Sequence, residues 1–119
     1  MQQFTYTRLY ADQSGETHFQ DVAVPLHDRG IIGSISDAVQ VTELYFRESP
    51  PDYDWDFHCA PRRQFIVLLD GVIEIETSLG EKRVFRAGDV LAAEDTHGKG
   101  HKTKHLVQQP RRSIFISYR

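Results

Sequence analysis

The chain has 119 residues, of which 26% are charged and 39% hydrophobic, and its formal net charge is -3. This length is typical of one domain with its own core, and the composition is that of a globular protein rather than a disordered one. Charges of both signs are interspersed, and no basic block is long enough to follow a phosphate backbone. We therefore expect a single domain over residues 1–119 that has no nucleic-acid partner.

One cysteine and the first ten residues bear on the environment of the protein. Cys59 stands alone, so no internal disulfide can form, and a core or a metal has to hold the fold together. Residues 1–10 alternate polar and apolar side chains and lack the unbroken apolar stretch of a signal peptide or a membrane span. We expect a cytoplasmic protein without a membrane partner. Secretion after removal of a leader is not excluded, because an initiating Met in place of the leader would leave the same sequence.

Short apolar segments alternate with polar residues at period two, which is the pattern of β-strands with one buried face. The predicted strands are residues 4–10, 22–24, 39–47, 54–59, 64–69, 72–77, 82–86, 90–92, 101–107 and 113–118. Asp70-Gly71 predicts a hairpin, and residues 79–81 and 87–89 predict two further turns. Strands at this spacing, without an amphipathic helix, predict an all-β fold, either a double-sheet jelly roll or a closed barrel.

Six histidines in so short a chain suggest a metal site, although a lone histidine is more often a surface or hydrogen-bonded residue. His18 and His27 are interpreted as residues of that ordinary kind. The basic pairs Arg62-Arg63 and Arg111-Arg112 are interpreted as solvated turns or strand ends, and no function is assigned to them. Four histidines, in two segments of the chain, remain as candidates: His58, His97, His101 and His105.

His58 and Gln64 flank a bend that contains Pro61. Alternation places His58 and Ala60 on one face of the chain, and it places Gln64 on the same face as Ile66 in the following strand. A histidine and a glutamine could therefore meet across the mouth of a barrel. The alternative for His58 is a hydrogen-bonded histidine at a strand edge.

This segment resembles the first motif of the cupin superfamily, which runs Gly, five residues, His, one, His, three or four, Glu, six, Gly. His58 and Gly71 match that motif. Asp52 stands at its first glycine, Ala60 at its second histidine and Gln64 at its glutamate, so the ligand set is altered. The resemblance implies a single jelly-roll barrel of the cupin type with its site at these residues.

The second cupin motif runs Gly, five, Pro, one, Gly, two, His, and it falls on residues 88–101. A strict count ends on Lys99, whereas His101 needs a loop two residues longer and His97 a loop two residues shorter. We favour His101, because it begins a strand in which alternation turns Thr103 and His105 to the same face. His97 could act as a lid, a proton shuttle or a conditional ligand, and His105 is expected to support the site without binding metal. Together the two segments resemble a group of small single-domain cupins.

The resemblance implies one metal ion bound by His58, Gln64 and His101. Gln64 replaces a carboxylate, and a neutral donor set of imidazole and amide suits Cu, Zn or Fe better than Mg²⁺ or Mn²⁺. Copper is therefore favoured, with iron or zinc possible. Two or three protein ligands leave coordination positions open, which is typical of a catalytic site rather than a structural one.

The resemblance to cupins implies a metal-dependent oxidoreductase that uses oxygen or peroxide on a small organic or carbohydrate substrate. Tyr53, Trp55 and Glu94 are candidates for the substrate-positioning rim, with ordinary packing as the alternative for each. A non-redox isomerase or lyase is a second hypothesis, and it requires a base such as Glu43 or His97 in the pocket. A third is a non-catalytic ligand-binding cupin, because the usual ligands are missing at Ala60 and Gln64.

The resemblance to small cupins also implies a homodimer. A first strand over residues 4–10 could add to the sheet of a neighbouring copy and cover its edge.

Overall fold

The computed structural model describes residues 2–119. Its strands, in chain order, are β1 (Gln3–Ala11), β2 (Thr17–Pro25), β3 (His27–Asp28), β4 (Ser34–Ile35), β5 (Glu43–Ser49), β6 (Asp54–His58), β7 (Gln64–Leu68), β8 (Val72–Glu76), β9 (Lys82–Arg86), β10 (Val90–Ala93), β11 (His101–His105) and β12 (Arg111–Ser117). A single 3-10 turn, Gly30–Ile32, is the helical part of these residues. Within residues 2–119 no helix has the length and apolar character to cross a bilayer.

Two main sheets face each other. The larger has the strand order β2-β1-β10-β7-β12-β5, and the smaller has the order β6-β11-β8-β9, while β3 and β4 form a short separate ribbon. All neighbouring strands are antiparallel except β1 and β10, which run parallel. This is a double-sheet jelly roll, so the predicted all-β class and the jelly-roll alternative are confirmed.

The core lies between the two sheets and is built from alternate residues of their strands. The large sheet contributes Leu9, Leu68 and Leu91, and the small sheet contributes Ile73, Ile75 and Phe85. Each of these side chains is at least 94% buried. Period-two alternation produces this arrangement, because it turns one side of every strand toward the opposite sheet.

Three details of the strand prediction are wrong. The segment predicted over residues 22–24 is part of the nine-residue strand β2, whose polar residues pair with β1 and so escaped a search for apolar runs. The strand predicted from residue 39 begins only at Glu43. Asp70-Gly71 is no hairpin, since it carries the chain from β7 in the large sheet to β8 in the small one.

The first strand does not offer a free edge to a neighbouring copy. β1 is hydrogen-bonded to β2 on one side and to β10 on the other, so the expectation that it could extend another sheet is wrong. The edges of the large sheet are β2 and β5. Hydrogen-bonded strand pairing between the large sheets of two copies would have to use β2 or β5.

Candidate functional site

One cavity of about 520 Å³ opens between the two sheets. Its walls combine apolar and aromatic side chains with a few polar groups, as is usual for sites that bind small molecules. The polar and cationic lining residues are Arg47, Arg62, Arg111, His58, His101, Gln64 and Thr103, and the aromatic ones are Tyr45, Tyr53, Trp55 and Phe115. Among the described residues that line this cavity there is no aspartate or glutamate.

His58 and His101 lie side by side in the cavity wall. His58 ends β6 and His101 begins β11, and the two residues are direct partners in the antiparallel pair. Their ring centroids are 4.8 Å apart. The structure therefore brings together the two histidines that the sequence placed in separate motifs. Trp55 stacks on the His58 ring at a centroid distance of 3.8 Å.

The hydrogen bonds of the two rings leave the same nitrogen free on each. Nδ1 of His58 donates to the backbone oxygen of Asp56 at 2.8 Å, and Nδ1 of His101 donates to Oδ2 of Asp95 at 2.5 Å. With the proton held on Nδ1, the lone pair is on Nε2, which is the arrangement usual for metal-binding histidines. Burial lowers the pKa of His58, which favours the neutral ring that a metal requires.

Gln64 supplies a third donor atom to the same cavity. The side chain is 2% exposed, and its Oε1 accepts no hydrogen bond from the described residues. A buried amide oxygen without a partner costs free energy, so such an atom marks a place where a bound group could complete the hydrogen bonding or the coordination. Two imidazole nitrogens and one amide oxygen are a donor set that suits copper, zinc or iron. The residues present thus fit a single transition-metal ion.

Asp95 is a site residue that the sequence analysis missed. It is fully buried and holds His101 from the loop before β11, and its backbone oxygen also accepts a hydrogen bond from the amide of Ala60. A signal was available, because Ala93 faces inward at the end of β10 and alternation turns Asp95 to the same side. Asp95 thereby joins the two loops that carry His58 and His101.

Gly100 allows these loops to meet. Its φ is +77°, in the left-handed region that favours glycine, and a Cβ at this position would lie 2.3 Å from the backbone oxygen of His58. The close approach sets the start of β11 directly against the end of β6. Thr17 fixes the same point from the other side, since its hydroxyl donates to the backbone oxygen of Gly100 at 2.8 Å.

Two of the predicted catalytic residues are outside the cavity. His97 is exposed in the turn before β11. Glu94 follows the inward-facing Ala93, so alternation sends its side chain to the outer face of the large sheet. There it accepts hydrogen bonds from Arg8 Nε at 2.6 Å and from the Tyr118 hydroxyl. The structure does not bring either residue to His58 and His101.

Tyr53 does line the cavity, as expected for a rim residue. It lies at the end away from His58: its ring stacks on that of His105, with centroids 5.5 Å apart. Burial lowers the pKa of His105, and the charge of Arg111 lowers it further. Glu43, the candidate base of the isomerase hypothesis, is exposed at the start of β5 and does not line the cavity.

The interpretation of the basic pairs as solvated is wrong for Arg111. This side chain is 4% exposed and lies in the cavity wall, whereas its neighbour Arg112 points outward. Arg62 also lines the cavity and lies over the Tyr45 ring at 5.0 Å. A run of two arginines could not reveal which one faces inward, because that depends on the register of β12.

The sheet order and the cavity between the sheets together define a small double-sheet jelly roll with an internal site. A protein from Salmonella typhimurium LT2 assigned as ethanolamine utilization protein Q is similar to it, with 14% identity over 99% of this chain and 98% of that chain and a TM-score of 0.47. The Cnp3 cupin domain of Schizosaccharomyces pombe is similar with 11% identity over 100% of this chain and 86% of that chain, at a TM-score of 0.49. Identities this low carry no information on ligand or reaction. No family model and no curated protein match the sequence.

Proposed function

We propose that the chain is a small metal-binding cupin and that it acts as a mononuclear oxidoreductase on a small organic molecule held in the cavity. His58, His101 and Gln64 would hold one transition-metal ion, copper in preference to iron or zinc. The observation that carries the proposal is the shared tautomer of the two paired histidines, each of which leaves Nε2 free. The unpartnered Oε1 of Gln64 in the same cavity supports it.

The protein residues around the site have separate tasks. Asp95 and the backbone of Asp56 hold the protons on Nδ1 and so fix the orientation of both rings. Trp55 covers one face of His58 and limits the access of water to that ring. A bound copper, iron or zinc ion with open positions would supply Lewis acidity, and copper or iron would also supply one-electron chemistry. A carbohydrate and an aromatic or aliphatic organic acid are both compatible with the aromatic walls.

A non-catalytic ligand-binding cupin is the second candidate. Within residues 2–119 no three side chains of His, Cys, Asp or Glu come together as a possible metal site, and Gln64 is the weakest donor of the proposed set. The isomerase or lyase hypothesis has less support. Its candidate bases, Glu43 and His97, both lie outside the cavity, and no carboxylate is found among the described lining residues.

Metal content and copper titration test the proposal. Protein purified without chelator should contain close to one metal per chain, and copper should quench the fluorescence of Trp55, the only tryptophan of the chain. His58→Ala and His101→Ala should each lose the metal, whereas His97→Ala, which removes an exposed histidine outside the cavity, should keep it. Copper-loaded protein should consume oxygen or peroxide in the presence of a reductant. Wild-type protein that contains no metal and does not bind copper in the titration would overturn the proposal of a metal site. The ligand-binding alternative would then remain.

A further inference from the structure

The end of the cavity away from His58 and His101 contains a buried cation without an anionic partner. Arg111 is 4% exposed. Its Nε donates to His105 Nε2 at 3.2 Å, and its Nη2 reaches the Ser49 hydroxyl only at 3.4 Å. Both partners are neutral acceptors, because a histidine that accepts at Nε2 is uncharged. A guanidinium has five N–H donors, so most of those of Arg111 remain free.

The ion pairs of the described residues confirm this lack of a partner. Those made by lysine and arginine involve Arg8, Arg63, Arg83, Lys99, Lys104 and Arg112. Arg111 and Arg47 are absent from that set. The carboxylate of Asp70 acts on Arg111 only from beyond ion-pair distance. Burying a charge without a counter-charge is costly, and a site that binds an anion would recover that cost when its ligand is present.

A second arginine lies beside the first. Arg47 lines the same cavity, with its guanidinium 5.1 Å from the centre of the Phe115 ring and 5.6 Å from that of Tyr53. Its charge is close enough to lower the pKa of Arg111, in addition to the effect of burial. Arg111 and Arg47 thus place two like charges in one cavity whose described lining residues include no carboxylate, and, in addition to burial, the charge of Arg47 lowers the pKa of His58.

The turn between β7 and β8 leaves space for the side chain of Arg111. Gly71 has a φ of +75°, and a Cβ there would lie 3.2 Å from Cγ of Arg111 and 3.4 Å from its Cβ. The stem of the arginine therefore packs on the bare backbone of Gly71, and this packing directs the guanidinium into the cavity. The glycine that the sequence assigned to a hairpin is used to place a buried arginine.

We propose that Arg111 and Arg47 bind the carboxylate of a small organic monocarboxylic acid whose apolar or aromatic body lies along the cavity toward His58 and His101. The planar fork of a guanidinium matches the two oxygens of a carboxylate. The walls between the two ends contain Phe115, Trp55, Ile66 and Ile75, which suit an apolar body. The orientation toward the histidines rests on the proposed function, whereas the anion site does not.

The length of the ligand follows from the strand that connects the two ends. His101 and His105 lie four residues apart on β11, which is about 13 Å between their Cα atoms in an extended strand. His105 contacts Arg111, and His101 belongs to the proposed metal site. Side chains from both ends fill part of this span. An acid with a ring or a short chain fits the remainder better than acetate or a long fatty acid.

Titration of Trp55 fluorescence tests the anion site, because this side chain lies in the cavity wall. The probes are benzoate, 3-phenylpropionate and 5-phenylpentanoate, each with its neutral amide, on chelator-treated wild-type protein. At least one acid should bind about 10-fold to 100-fold more tightly than its amide, as expected for hydrogen bonds to a charged group. Inorganic phosphate should not displace it. Equal binding of acid and amide, displacement by phosphate, or no binding of any acid would overturn the proposal.

Substitutions of Arg111 and of its neighbour Arg112 test whether the acid binds at Arg111. Arg111→Met should lose the preference for the acid over the amide, while Arg112→Gln, the outward-facing neighbour on the same strand, should retain it. Arg47→Gln should weaken the preference and serves as the second variant if Arg111→Met does not unfold cooperatively. An unchanged preference in a folded Arg111→Met or, failing that, in Arg47→Gln would contradict the proposal. His101→Ala separates the two sites: it should lose copper and still bind the acid, so that failure of the metal site leaves the anion site testable.

Discussion

Oδ2 of Asp95 lies 2.5 Å from Nδ1 of His101, and both side chains are buried. This contact determines which ring nitrogen faces the cavity, because the carboxylate keeps the proton on Nδ1. It also connects the loop after β10 to the first residue of β11. In the proposed metal site Asp95 would therefore position the ring of His101.

Asp95→Asn should weaken copper binding by about 10-fold to 100-fold, the usual cost of losing a partner behind a metal-binding histidine. An amide can present its NH₂ group to Nδ1 and so favour the opposite tautomer. Isothermal titration with copper would measure the effect. Glu94→Gln is the matched control, since the adjacent side chain faces the outer side of the sheet, and it should leave copper affinity unchanged. An Asp95→Asn protein that is folded and binds copper like wild type would contradict the positioning role.

Gly100→Ala should destabilise the fold and displace His58. Strain at positive φ alone costs about 1–3 kcal/mol, and the contact with the His58 backbone adds to it. Gly80→Ala is a matched control, because Gly80 has a φ of +89° with no atom within 4 Å of the added Cβ. Chemical denaturation should show the larger loss for Gly100→Ala. Copper affinity should fall only in that variant, and equal effects of the two substitutions would show that the close approach is unimportant.

Lowering the pH should reduce the free energy of unfolding, because it protonates the carboxylate of Glu94. Burial alone would raise the pKa of Glu94, but hydrogen bonds from Tyr118, Arg8 and Arg63 outweigh burial and hold the pKa below its usual value. A carboxyl with a lowered pKa in the folded state stabilises the fold above its unfolded-state pKa of about 4.3. That stabilisation is lost as the pH falls through the folded-state value.

Glu94→Gln should therefore reduce the free energy of unfolding by about 1–3 kcal/mol at neutral pH, and the difference from wild type should shrink below about pH 4. Urea denaturation across this pH range gives the measurement. Glu48→Gln, which removes an exposed partner of Arg112, should have almost no effect. A difference between Glu94→Gln and wild type that is constant with pH would exclude this ionic contribution.

The outer face of the large sheet is the surface on which we expect a second copy to pack. Cross-strand register places apolar residues in two rows over neighbouring strands: Phe46, Ile114, Val67 and Val90 in one, and Leu44, Ile116, Phe65 and Ala92 in the other. The exposed residues of these rows belong to the edge strand β5, where Phe46 is 82% exposed and Leu44 is 52% exposed, whereas Ala92 is buried. An exposed apolar strip of this kind is complementary to a copy of itself, and two sheets can pack face to face about a two-fold axis.

Sedimentation equilibrium should show a dimer for the wild-type protein. Leu44→Lys should weaken dimerisation by about 10-fold or more, since it places a charge in an apolar interface. Leu79→Lys is the control: this leucine is 67% exposed in the turn between β8 and β9 of the other sheet, and its substitution should leave the dimer intact. A wild-type monomer at all concentrations would remove the expectation of a homodimer.

Part of the site was predictable because it depends on local alternation. The alternation over residues 101–105 correctly predicted that His101, Thr103 and His105 face inward. It also predicted that the two lysines between them face outward. The spacing around His58 and Gln64 placed both residues in the cavity wall. Glu94 was misplaced although the alternation continues beyond β10: Ala93 faces inward, and the next side chain, that of Glu94, therefore faces outward.

Arg111 shows what local pattern could not provide. Its inward direction is determined by the pairing of β12 with β5 and β7, and a shift of one residue would have exposed it and buried Arg112. The same holds for Asp70-Gly71, whose turn residues are typical of a hairpin, although the strands that they join belong to different sheets. Turn chemistry sets the local bend, whereas long-range pairing determines where the chain goes.

The sequence by itself determined that the chain is all β, and its resemblance to the cupin motifs implied that His58 and His101 lie together and that Gln64 stands where those motifs have a carboxylate. These conclusions depend on period-two burial and on spacing along the chain. Only the tertiary structure decided that the Asp95 carboxylate contacts the His101 ring, that His97 is outside the cavity, and that Arg111 and Arg47 line it. The positions of the two arginines depend on strand register and on contacts between residues distant in sequence, which local sequence does not encode.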